Sequence, residues 1–282
     1  MENNRRGTVH SVYERTVNLQ MGTRLVALQP WGTAVSPLSL MTEEDQDTFE
    51  KAGIKPGNRV EFDGSVLWME TAAESGERWA LRETETVDLK LRIGSLQSPV
   101  TDMPDNFDRM LNLMGKGRSI FLEGYPEALE SLSKSAKQII EVSRIFMRQG
   151  KWEKAAETLS RLLGLGIGLT PSGDDFLCGF LAGMAVTGMD GHLFFHILKT
   201  QIRGGMERTN DISRAFLECA LQGQFAWAVH CVFQKPFAEG VRKMAGIGHT
   251  SGIDTLCGLC FGLEFQKYQW RRMNAEIRYI DH

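Results

Sequence analysis

One unusual phrase occurs twice in this chain. Residues 164–183 read GLGIGLTPSGDDFLCGFLAG, and residues 246–262 read GIGHTSGIDTLCGLCFG. With Gly166-Ile167-Gly168 set against Gly246-Ile247-Gly248, Thr170 stands opposite Thr250 at an offset of 80. Past the extra Pro171, Asp175 stands opposite Asp254, Cys178 opposite Cys257 and Gly183 opposite Gly262, all at an offset of 79. A hydrophobic core calls for apolar residues at helical spacing; it has no use for Gly-x-Gly-x-Thr followed by Ser and Asp. Such a string supplies backbone N–H groups, hydroxyls and a carboxylate where a helix begins. Two copies therefore constrain the chain to a fold with two related helix starts, able to face one small polar ligand.

The text around the repeats changes grammar once. Up to about residue 98 it consists of short runs rich in β-branched and aromatic residues: TVHSVY, TVNLQM, RLVALQ, TAVSPLSL, RVEFDG, VLWMET, RWALRE and VDLKLR. Several alternate with period two, and turn signals at Met21-Gly22, Lys55-Pro56-Gly57-Asn58 and Asp63-Gly64 separate them. A helix-like insert, TEEDQDTFEKAG, interrupts them, with Thr42 as its N-cap and Gly53 closing it. This predicts a small antiparallel barrel or sandwich over residues 1–102, with no catalytic constellation of its own. TDMPDNFD reads as the linker. Residues 103–282 then form a larger all-α domain, with amphipathic helices over PEALESLSKSAKQIIEVSRIFMRQG and KWEKAAETLSRLLG. Further helices are expected over 105–114, 172–187, 191–204, 210–222, 224–234, 236–244 and 251–268 and at the C-terminus. The overall class is α+β.

In the first copy, Thr170 can cap a helix entered through Pro171, or Ser172 can cap it with Asp175 three residues on. Ser251 and Asp254 repeat the second spacing. Gly166, Gly168 and Gly248 let the backbone approach a ligand closely. Free N–H groups, a positive helix end and the hydroxyls of Thr170, Ser172, Thr250 and Ser251 suit a phosphate or carboxylate. Asp174, Asp175 and Asp254 would repel an anion unless they accept hydrogen bonds from a ligand amide, cap helices, or hold Mg²⁺ through water. A plain structural reading stands beside this one, since glycine-rich helix starts with Ser, Thr or Asp are common. Gly179-x-x-x-Gly183 and Gly258-x-x-x-Gly262 read as close helix–helix contact around a pseudo-twofold axis. His249 replaces Leu169 of the first copy and is the candidate for proton transfer, with Asp175. Thr209 and Asn210, which open the helix between the repeats, either cap it or add polar groups to the same pocket. Cys257-x-x-Cys260 has no second half at ligand spacing, so no metal site is assigned.

A net charge of −3 with 42% apolar and 24% charged residues gives no reason to expect nucleic acid or an anionic membrane as partner. The N-terminus lacks an apolar signal core, no stretch reads as a membrane span, and five unframed cysteines read as reduced thiols of a cytoplasmic protein.

The strings GLGIGLTPSGDDFLCGFLAG and GIGHTSGIDTLCGLCFGL, after a β-rich first third, resemble the bacterial family of the AllH-type subunit of oxamate carbamoyltransferase. That resemblance implies phosphorolysis of oxalurate to oxamate and carbamoyl phosphate in anaerobic allantoin breakdown. It also implies FdrA-like and AllG-like partner subunits, a small anionic substrate and phosphate. The Ser-Thr-Arg-Thr phosphate loop of ordinary carbamoyltransferases is absent. Two other readings remain open on the residues: a non-catalytic assembly or ligand-sensing subunit, and a Mg²⁺-dependent all-helical hydrolase built on Asp174, Asp175 and Asp254.

Overall fold

The computed structural model describes residues 6–43, 51–71, 76–80, 85–92, 103–234 and 236–280. The chain divides into two compact units, Met1–Leu89 and Lys90–His282.

The first unit is a seven-stranded sheet: β1 Arg6–Tyr13, β2 Thr16–Met21, β3 Arg24–Pro30, β4 Ser39–Thr42, β5 Arg59–Phe62, β6 Val66–Met69 and β7 Glu77–Ala80. Strand order is β4-β3-β2-β1-β5-β6-β7. Every neighbouring pair is antiparallel except β3–β4, which run parallel with Ala27 opposite Ser39. The expected all-antiparallel pairing fails there because TAVSPLSL does not turn back at once. Only its last residues pair, after Pro37 and a knot of hydroxyls in which Ser39 donates to Gln29. Val17, Leu19, Leu28, Val60 and Met69 fill the core. The insert over 42–53 lies mostly outside the described residues; Thr42 ends β4, and Gly53 closes the segment at φ 64°.

VDLKLR departs from the strand expectation. Lys90 makes a single bridge to Gln224, the Leu91 N–H donates to the Gly223 carbonyl at 2.9 Å, and Leu91 is buried in the helical core. Its last leucine is therefore spent on the helical core.

The second unit contains α1 Met103–Gly115, α2 Glu130–Arg148, α3 Trp152–Leu159, α4 Ser172–Val186, α5 Leu193–Gly204, α6 Asp211–Leu221, α7 Trp227–Val232, α8 Phe237–Ala245 and α9 Ser251–Ile280. Helix α1 begins inside TDMPDNFD, the expected linker; Pro104 falls in its first turn, where a missing N–H costs little. Helix α4 is buried on nearly every face, as an apolar helix with no polar stripe must be, and it runs beside α9 at the centre of the unit.

The small residues set the closeness of that pairing. A methyl group on Gly179 would fall 1.9 Å from the Thr255 carbonyl oxygen, and one on Gly258 1.9 Å from the Phe176 carbonyl oxygen. Phe176 and Thr255, like Gly179 and Gly258, are repeat equivalents, so the contact is reciprocal about a pseudo-twofold axis. Contacts advance in the same direction along both helices, ending at Gly183 against Gly262. The two helices are therefore parallel, and their N-termini lie at one end.

Candidate functional site

The structure redraws the repeat upstream of the helices. The Leu165 N–H donates to Leu162 O at 2.8 Å, and the Gly173 N–H returns to Leu165 O at 2.7 Å. In the second copy the Ile247 N–H donates to Met244 O at 3.0 Å, and the Gly252 N–H returns to Ile247 O at 3.0 Å. Leu165, which packs on the core, thus corresponds to Ile247, which does the same. Ile167, the partner expected from the sequence, is 63% exposed. Gly166-Ile167-Gly168 is an outward three-residue insertion peculiar to the first copy, ending beside Leu169, which is also exposed.

In the first copy the expected side-chain cap is not made. Pro171 is the N-cap of α4 and has no side-chain capping bond; Ser172 lies inside the first turn. The Gly173 and Gly252 N–H groups are taken by the carbonyls of their own loops. The hydroxyls and carboxylates instead bond to one another across the pseudo-twofold axis. Thr170 Oγ1 lies 2.7 Å from Ser251 Oγ and donates to Asp175 Oδ2 at 2.9 Å.

The three carboxylates have different surroundings. Asp174 is buried and fully engaged: the Gly164 N–H donates to its Oδ1 at 2.7 Å, while Thr209 Oγ1 and Ser213 Oγ, the latter at 2.7 Å, donate to its Oδ2. It ties the first loop to the start of α6. Asn210 caps α6 by accepting from the Ser213 N–H at 2.9 Å and donates to Leu169 O at 2.9 Å. Thr209 and Asn210 thus converge on the first repeat, as brackets of its loop.

Asp175 keeps some accessible surface yet is crowded by protein atoms. Desolvation pushes its carboxyl well above the ordinary carboxylate range; the hydroxyls of Ser251 and Thr170 oppose that, and the charges of Asp254 and Asp174 add to it. Asp254 is fully buried, and Ser119 Oγ donates to its Oδ1 at 2.6 Å. Among the described residues its Oδ2 has no hydrogen-bond partner, while the Ser172 and Thr250 hydroxyls favour the charge. Burial raises Asp254 to about 6 against those hydroxyls. Each aspartate is therefore served by its own threonine and by the serine of the other copy: Thr170 and Ser251 for Asp175, Thr250 and Ser172 for Asp254.

Gly168, Gly248 and His249 are exposed, and Gly166, Thr170, Thr250 and Ser251 are partly so, which puts them at the rim. Asp174, Asp254 and Ser172 lie behind it. His249 is held through its backbone: Arg118 Nη2 donates to His249 O and to Ala245 O, each at 3.1 Å. Arg118 and Ser119 are site residues that sequence reading did not single out. Tyr125 belongs with them, its phenol raised by burial and by the Asp254 charge. Only the glycines at 117 and 124, both at positive φ, mark their turn in the sequence.

Among the described residues no group of three His, Cys, Asp or Glu side chains is arranged to hold a metal ion. Of the three carboxylates weighed for Mg²⁺, Asp174 is already engaged by Gly164, Thr209 and Ser213, and Asp254 lies buried behind the rim. No described helix is long and apolar enough to cross a membrane.

Fold and site define an α+β protein whose helical part carries an internally duplicated, glycine-packed helix pair with a shared carboxyl–hydroxyl cluster at its mouth. The chain belongs to the AllH family: the family described as oxamate carbamoyltransferase subunit AllH matches residues 162–263, and the AllH family N-terminal domain matches residues 1–85. The first match begins at Leu162 and ends at Leu263, enclosing both loops and the helix pair. The family is that of an oxamate carbamoyltransferase subunit, so partner chains are implied. No solved structure matches the chain.

Proposed function

We propose that the mouth of the α4–α9 pair is a substrate site of an oxamate carbamoyltransferase complex, which converts oxalurate and phosphate to oxamate and carbamoyl phosphate. The complex is completed by FdrA-like and AllG-like subunits. The observation that carries this reading is the joining of the two copies at Thr170 and Ser251, beside Asp175, a carboxyl that burial biases toward its protonated form and that keeps some accessible surface. A neutral carboxyl there donates a hydrogen bond to an amide or carbonyl without repelling an anionic substrate.

In the reaction a phosphate oxygen attacks the terminal carbamoyl carbon of oxalurate, and the carbon–nitrogen bond to the oxamate fragment breaks. The electron pair stays on that nitrogen, which takes one proton; hydrogen phosphate gives one up. Asp175 supplies the proton to nitrogen, and His249 on the exposed rim accepts the one from phosphate. The rim hydroxyls of Thr170, Thr250 and Ser251 orient the substrate. Asp254, out of reach beneath the surface, acts on Asp175 and not on substrate.

The test is turnover of oxalurate and phosphate by the reconstituted complex. Asp175→Asn and His249→Ala each lower kcat about 100-fold or more, in keeping with the contribution of a positioned acid or base. Unchanged turnover in both variants refutes the reading. It would leave an assembly role, for which phosphate and oxamate would not shift the melting temperature of the purified chain.

A further inference from the structure

The pseudo-twofold symmetry of the two carboxyls is broken by one residue outside the repeats. Ser119 is fully buried, and its Oγ accepts from the Phe121 N–H at 3.1 Å while donating to Asp254 Oδ1 at 2.6 Å. That hydroxyl has its orientation set by the turn, and its hydrogen has one strong acceptor. Asp175 receives the hydroxyls of Thr170 and Ser251, the repeat counterparts of those around Asp254, with no bond from a third segment among the described residues.

We infer that Ser119 is a positioning residue of the site: its hydrogen bond keeps the negative charge of the carboxyl pair on buried Asp254, so that the proton stays on Asp175, at the rim. The inference rests on the reading of that rim as the substrate site. A hydrogen bond given to a carboxylate favours its charged form, and a charge on one member of a close pair holds the proton on the other. A second feature points the same way. Among the described residues Asp254 Oδ2 is buried without a hydrogen-bond partner, an exception to the rule that buried polar atoms are paired. A buried carboxylate left half-satisfied is costly by itself, but it puts a strong local field on its neighbour. The groups facing Asp254 come from three elements: Asp175 with Ser172 from α4, Ser119 and Tyr125 from the turn after α1, and Thr250 and Cys257 from its own segment. Asp174 and Cys178 act on or feel Asp175 from the α4 side. Arg118, the neighbour of Ser119, fixes the carbonyl of His249, so one turn holds both halves of the proton-handling apparatus.

The deciding experiment is a titration of the purified full chain, labelled with ¹³C at the aspartate carboxyls and followed by NMR. In the wild type Asp254 titrates near 6, as its burial and hydroxyl contacts require. Ser119→Ala moves that midpoint up by about one pH unit, the effect of losing a hydrogen bond to a charged group. Asp254→Asn lowers the midpoint of Asp175 by removing the neighbouring charge. In the reconstituted complex, Asp254→Asn moves the alkaline limb of the kcat profile to lower pH, because Asp175 then surrenders its proton earlier. An Asp254 midpoint unmoved by Ser119→Ala overturns the inference, as does an Asp175 midpoint unmoved by Asp254→Asn. The second variant decides the matter if the first does not fold. These midpoints are read without turnover, so a failed reaction assignment and a failed positioning role give different results.

Discussion

Gly183 and Gly262 meet at the crossing of the two repeat helices, where a methyl group on either would lie 2.9–3.0 Å from the other's Cα. Nearer the mouth the fit is tighter still, with Gly258 directly over the carbonyl of Phe176. Inside a free helix, Gly→Ala gains about 1 kcal/mol. Here Gly258→Ala reverses that sign and costs about 3 kcal/mol, because a backbone carbonyl stands where the methyl must go. Gly262→Ala costs less, as its neighbours are 2.8 Å away or more. Urea unfolding of both variants checks the order; equal stabilities would mean that the helices are not packed through these glycines.

Asp174 and Asp175 are adjacent in sequence and opposite in role. Asp174→Ala removes the common acceptor of Gly164, Thr209 and Ser213 and strands three donors. It is expected to cost about 3 kcal/mol. Asp175→Asn replaces a carboxyl already biased toward neutrality and does not destabilise the chain, while lowering kcat about 100-fold or more. Thermal melts beside activity measurements separate the two; a large loss of stability in Asp175→Asn would contradict the assignment.

Asp254 makes stability depend on pH in a defined direction. Its folded value, about 6, lies above the ordinary carboxylate value of 3.8. The folded state therefore binds the proton more tightly than the unfolded chain does. The stability this contributes is fully present below about pH 4 and is lost as pH rises through about 6, some 3 kcal/mol in all. Asp175, raised for the same reason, adds to the same slope at higher pH. Asp254→Asn is expected to flatten the slope between pH 4 and 7 and to be more stable than the wild type at pH 8. Denaturation midpoints across that range check it, and an unchanged slope would show that Asp254 does not titrate there.

The inserted loop of the first copy offers a comparison of two glycines two residues apart. Both have strongly positive φ, 131° at Gly166 and 105° at Gly168. A Cβ on Gly166 would also strike the Ser172 amide nitrogen at 2.5 Å, whereas one on Gly168 meets nothing within 4 Å. Gly168→Ala is expected to cost about 1–2 kcal/mol from backbone strain alone. Gly166→Ala costs more and disturbs the first turn of α4. Chemical denaturation gives both values, and equal costs would place the Ser172 amide elsewhere.

Much of the architecture was legible because it is local. Seven of the eight β-like runs contribute strands, and α4, α5, α6 and α9 start within two residues of their expected positions. The glycine spacing correctly indicated a close helix pair with reciprocal contacts. VDLKLR misled because period and β-propensity do not say which core an apolar residue will join; Leu91 joined the helical one. Pairing Ile167 with Ile247 misled for a similar reason. Identical letters, Gly-Ile-Gly, outweighed the packing role that Leu165 shares with Ile247.

That two like helix starts exist and that small residues bring them together can be read from the chain alone. Those facts depend on residues within one or two turns of each other. What each carboxyl does was decided only by tertiary structure. Asp174 is committed by Thr209 and Ser213 from another helix, and Asp254 is held by Ser119, 135 residues away in the chain. Charge state depends on burial and on which donors reach an oxygen, and no local pattern encodes which distant segment will supply them.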